Sequence, residues 1–165
     1  MTTPTQIKTA FQEWLSQEAA GLTSVIFADQ AAPRPPKPYG TVRLGVQRAL
    51  GLRDEFRELD DLGIAEYLGQ REMTVALNIY GPGALEQMHQ AQASLSKQSV
   101  LDRFIGTYGI AILDAGDITN LTSFLEVSDE ERAMMEVRIG YSVSTNDDVG
   151  WIETVEVNDQ IVEIA

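Results

Sequence analysis

The chain contains no cysteine and only one histidine, His89. The first absence excludes disulfides, thiolate nucleophiles and cysteine-based metal sites. The second leaves one residue for imidazole chemistry, with no second imidazole to help it hold zinc. No apolar run approaches the roughly 20 residues that cross a bilayer, so no membrane association is expected. The opening MTTPTQIKTAFQEW has neither the basic nor the apolar region of a signal peptide, so a soluble protein made in a cytoplasm is expected.

The familiar catalytic patterns are missing too. His89 falls inside a predicted helix, where a lone histidine is ordinarily a surface or packed side chain, and no G-x-S-x-G elbow accompanies it. Gly81-Pro82-Gly83 follows a strand and precedes a helix, but it lacks the Walker lysine and the G-x-G-x-x-G spacing. It reads as a strand-to-helix turn. The acidic groups Asp60-Asp61, Asp129-Glu130-Glu131 and Asp147-Asp148 lack EF-hand spacing and read as solvated turns. Phe56 lies among Arg53, Asp54, Glu55, Arg57 and Glu58, and Trp151 near Glu153 and Glu156, so neither aromatic sits in the basic setting of a nucleic-acid platform. No catalytic residue, cofactor or metal ligand is assigned. The expectation is a protein that is not an enzyme.

What is present is acid, unevenly spread. The 165 residues carry a formal charge of −13. Residues 1–50 hold five basic and three acidic side chains, whereas residues 126–165 hold two basic and eleven acidic ones. Such a chain is poorly suited to grip phosphates, but an acidic surface facing DNA would let it pass without holding it. With 44% apolar residues the chain can bury roughly 70% of its extended surface in an ordinary core.

The spacing of Ile7, Ala10, Phe11, Trp14 and Leu15 predicts a helix over 5–20, ended by Gly21. Residues 24–28 favour a short strand. DQAAPRPPKPY follows, an extended arm restrained by Pro33, Pro35, Pro36 and Pro38. Strands are expected at 39–46, with Val42, Leu44 and Val46 on one face, and at 71–80, with Met73, Val75, Leu77 and Ile79 on one face. Residues 47–70 show no sustained period and are read as an irregular excursion or hairpin that could order only on assembly. A helix is predicted over 84–97 along Leu85, Met88, Gln92 and Leu95, and a second, capped by Ser99, through Phe104. A strand at 108–113, a turn at 114–117 and an ambiguous stretch to 124 come next. A strand at 132–144, a turn at 145–148 and a strand at 151–157 predict an antiparallel hairpin, with a last edge strand at 160–164. The fold class expected is a single α+β domain over 1–165, with helices on one face of a mainly antiparallel sheet.

Three segments carry a resemblance: SVIFADQAAPRPPKPYGTVRL (24–44), REMTVALNIYGPGA (71–84) and ERAMMEVRIGYSVSTNDDVGWIETVEV (131–157). Together they resemble the neck and tail terminator proteins of tailed bacteriophages. The resemblance implies a tail-terminator-like fold in the virion neck, where subunits form a ring, commonly hexameric, that caps the tail tube. Its implied partners are further copies of itself, the tail-tube protein and the head-completion protein, with DNA passing through the lumen without specific binding. Arm residues Pro33, Arg34, Pro35, Pro36, Pro38 and Tyr39 are the expected assembly contacts, because a restrained arm loses little entropy on docking. Glu153 and Glu156 are the candidate luminal acids. A tail-tube or head-completion subunit is the nearest alternative. An acidic adaptor or inhibitor of a host protein is the alternative of another class.

Overall fold

The computed structural model describes residues 1–31, 33–124, 129–150, 154–157 and 160–163, with backbone alone for 123, 124, 129 and the last two segments. The first helix, α1 (Pro4–Glu18), begins with Thr3 and Gln6 in a reciprocal capping box and Pro4 in its first turn. It buries Ile7, Ala10, Phe11, Trp14 and Leu15, the stripe its spacing predicts. Strand β1 (Ser24–Phe27) follows, then the proline arm, then β2 (Tyr39–Ala49). The stretch with no readable period is a hairpin: β3 (Glu55–Leu59) turns into β4 (Ile64–Tyr80). Helices α2 (Ala84–Ser94) and α3 (Gln98–Tyr108) come next. After them run β5 (Ile110–Ala115), β6 (Thr119–Asn120), β7 (Ser123–Phe124), β8 (Asp129–Glu130) and β9 (Arg132–Asp148). Strands β10 (Thr154–Val157) and β11 (Gln160–Glu163) complete the described chain.

The main sheet has the order β1-β2-β4-β9-β5, with β3 added to β4 and β6 to β9. β1 and β2 run parallel, and the other pairings of this sheet are antiparallel. Alternation along β4 and β9 sends Met73, Val75, Leu77, Ile79, Met135, Val137 and Ile139 into one core with the helices. Phe11, Trp14 and Phe104 pack there with ring centroids 5.1–6.1 Å apart. The Trp14 indole N–H donates to Ser94 Oγ at 2.9 Å, so the largest buried side chain keeps its polar atom satisfied. The α+β architecture with helices on one face of the sheet is thus the one expected.

Several details differ from the sequence reading. The β2 register shifts between Leu44 and Gln47, which carries Val46 out of the expected stripe to 78% exposure while Val42 stays buried. In α2 the buried side is Ala84, Met88, Ala91 and Ser94, leaving Leu85 exposed, because the small residues permit close approach to the sheet. Ser99 is not the cap of α3, which starts at Gln98 and runs past Phe104 to Tyr108, where Gly109 closes it at φ 65°. The expected turn at 145–148 is strand, since β9 continues along β4 until Asp148 faces Ile64. Consequently β10 does not pair with β9; it pairs with β11 in a separate two-stranded sheet. Cross-strand bonding to β4 outweighs the turn preference of Asn146, Asp147 and Asp148.

Candidate assembly surfaces

Among the described residues the second face of the main sheet carries no helix, and Gln30 and Arg34 of the proline arm line a cleft there with Tyr39, Thr41, Asn78 and Tyr80. Thr23 anchors the arm: its hydroxyl lies 2.7 Å from the Pro36 carbonyl and 2.8 Å from the Pro38 carbonyl, and its N–H donates to the latter at 2.8 Å. Lys37 reaches Glu130 at 2.8 Å, and the ammonium holds that carboxyl below its ordinary range. Pro33, Arg34 and Pro36 are exposed, and Pro35 and Pro38 half-buried. Tyr39 is only 3% exposed, stacked on Tyr80 at 5.0 Å, and burial raises its hydroxyl pKa. The Tyr39 side chain is thus largely covered within the subunit.

Beneath the arm is a cleft of about 270 Å³ whose walls bring together Arg34, Arg43 and Arg132 with Tyr39, Asn78 and Tyr80. Strand alternation explains the convergence: Tyr80 faces Arg132, Asn78 faces Thr41, and Arg43 follows two positions on. Arg132 spreads over the Tyr80 ring at 5.1 Å and donates twice to Asn78 Oδ1, at 3.2 and 2.9 Å. Its hydrogen-bond and ring partners in this cleft are neutral, while the nearby Glu130 carboxylate feels the charge of both Arg34 and Arg132. Arg43 meets Asp29 only at 3.8 Å, with both side chains more than half exposed. The sequence reading placed Val42, Leu44 and Val46 on one face of this strand and assigned no role to Arg43, Arg132 or Asn78. The shared parity of these positions was the available signal, but only the register sets them beside one another.

At the opposite end, β3, β4 and β9 project as a blade. Leu52, Phe56 and Leu62 are exposed there by 98%, 54% and 77%. Arg71 braces the base of the blade with two 2.8 Å bonds to Asp54, and these bonds lower the Asp54 carboxyl pKa. The Asp60-Asp61 turn is structural, with Asp60 Oδ1 accepting from the Leu62 and Ile64 N–H groups.

The remaining motifs resolve into structure. Glu131 accepts the Gly83 N–H at 2.8 Å, so the protein's own carboxylate occupies the start of α2. Gly81 is required by its φ of 109° and by the arm, since an added Cβ would lie 2.8 Å from Lys37 Cβ. His89 is exposed beside a wide trough shared with Leu95, Ile112 and Asp114. Among the described residues no three His, Asp or Glu side chains are grouped to hold a metal. Glu153 lies outside the described residues, as does the side chain of Glu156, whose backbone belongs to β10. No described helix is long and apolar enough to cross a membrane.

Residues 5–164 match the model of a protein family described as phage neck terminator protein. No curated protein matches the chain.

Proposed function

Because the chain belongs to the phage neck terminator proteins, a structural and non-catalytic family, we propose that it forms the ring that closes the tail tube and joins it to the head. The observation that carries this reading is the family match over residues 5–164. The geometry is compatible with it. A closed ring of identical subunits needs two unlike patches that complement each other. The two ends of the long strands are unlike, an arginine-walled cleft under the arm at one and a blade with exposed apolar residues at the other, so each offers a distinct surface to a different partner.

One face of the ring docks on the last layer of tail-tube protein and the other on the head-completion protein, so the tube stops growing. The arm, with Pro33, Arg34, Pro35, Pro36 and Pro38, is a contact element already restrained before docking. Part of the acidic surface faces the lumen, through which DNA passes without specific binding. Glu153 and Glu156 are the candidate luminal acids, three positions apart in the acid-rich last third of the sequence.

Negative-stain images of the purified protein test the reading. A closed ring that halts tube polymerisation when added to tail-tube protein is expected. A persistent monomer that leaves tube length unchanged would remove it in favour of an adaptor. The ring should also bind linear duplex DNA negligibly at physiological salt, and tight, strongly salt-dependent binding would defeat the acidic-conduit idea.

A further inference from the structure

Charge is divided between the two ends of the long strands. The cleft under the arm holds Arg34, Arg43 and Arg132, with Asp29 and Glu130 as nearby carboxylates. Glu130 is paired with Lys37, and Asp29 meets Arg43 only at 3.8 Å. Arg34 and Arg132 form no ion pair among the described residues, so the cleft keeps a surplus of positive charge in a chain whose net charge is −13. The tip of the blade is the reverse. Register sets β3 and the start of β4 beside the end of β9, and the Gly63 carbonyl accepts from the Val149 and Gly150 N–H groups. Residues 58–66 and 144–150, gathered in this way, contain six acidic side chains and no lysine or arginine. Asp61, Asp147 and Asp148 are exposed there. Arg53 lines a hollow with Asp147 but forms no ion pair with it.

Tip and cleft lie at the two ends of β4. Ile64 begins the strand beside the tip, and Tyr80 ends it in the wall of the cleft. At about 3.3 Å per residue these ends are roughly 50 Å apart. Both belong to one hydrogen-bonded sheet, because β9 pairs with β4 all the way from Ile64–Asp148 to Tyr80–Arg132. A subunit therefore cannot place its own tip in its own cleft, whereas a second copy brings the complementary surface with it. The tip is also shaped before it docks, since Asp60 Oδ1 fixes the turn by accepting from the Leu62 and Ile64 N–H groups.

We propose that the acidic blade tip, through Asp61 and Asp148, docks in the Arg34–Arg43–Arg132 cleft of the next copy, and that this head-to-tail contact links the subunits of the ring. The inference rests on the ring reading above and names its interface. The copy ahead and the copy behind are the two different partners that the unlike ends serve. Arginine suits the role because its planar fork binds both oxygens of a carboxylate. Charge also selects the orientation, since tip on tip or cleft on cleft would set like charges together. The contact is heterologous, as ring closure demands, and a closed assembly leaves no cleft and no tip unused.

Two full-length variants test it, Arg34→Glu with Arg43→Glu, and Asp61→Lys with Asp148→Lys. All four side chains are exposed, so folding should be retained, which circular dichroism checks. The milder pairs Arg34→Gln with Arg43→Gln and Asp61→Asn with Asp148→Asn replace any reversal that fails to fold, and each should weaken assembly at equal concentration. Each reversed variant alone should lose the ring, read as native mass and in micrographs. Mixed in equal amounts they should associate again. The reversed cleft then receives the reversed tip while the native cleft receives the native tip, so the two variants alternate. Either reversed variant assembling alone as wild type does, neutral pairs without effect, or a reversed mixture that stays monomeric would overturn the contact. If the wild-type protein itself never forms a ring, the terminator-ring reading fails, which is a different result.

Discussion

Arg132→Met isolates the support beneath the cleft. The substitution keeps an apolar stem and removes the guanidinium, which donates to Asn78 Oδ1 at 3.2 and 2.9 Å and lies 5.1 Å from the Tyr80 ring centroid. Asn78 is 8% exposed, so water has little access to replace the lost donors. Leaving such an acceptor unsatisfied costs ~1–3 kcal/mol, and the cation–π contact adds ~0.5–1 kcal/mol. A loss of about 2–3 kcal/mol is expected, equivalent to a Tm lowered by about 4–12 °C for a chain of this size. Urea unfolding at fixed protein concentration and fixed assembly state measures it. Adding Asn78→Leu should restore most of the loss, because replacing both partners by apolar groups removes the buried orphan. A single variant within about 0.5 kcal/mol of wild type, or a double variant less stable than the single, would refute the reasoning.

Ser94→Ala should destabilise by ~1–3 kcal/mol because it orphans the buried Trp14 N–H, and much less in a Trp14→Phe background, as a double-mutant unfolding cycle would show. Gly81→Ala should cost ~1–3 kcal/mol through its positive φ and should loosen the arm, read as faster amide exchange at Lys37. The Asp54 carboxyl is held below its unfolded value by Arg71, so its contribution to the blade is present above about pH 4 and fades as pH falls through the lowered folded value. Amide exchange in β3 should therefore show extra opening in acid, an acid-dependence that Asp54→Asn removes.

The legible parts of this fold were those where one period governs a whole element. The stripe of α1 and the alternation of Met73, Val75, Leu77 and Ile79 each depend on one buried face, and each appears as expected. Val46 was misplaced because a bulge moves every later side chain of β2 to the other face, and no local pattern announces the extra residue. The β3–β4 hairpin was obscure because it projects beyond the helices, so Leu52, Phe56 and Leu62 obey no inside-outside rule. The turn chemistry of Asn146, Asp147 and Asp148 misled for a related reason: ladder bonds to β4 decide the outcome, and their partners lie about eighty residues earlier. The candidate site shows the same division. The arm could be read from its prolines, whereas the arginine cleft depends on the register of three strands.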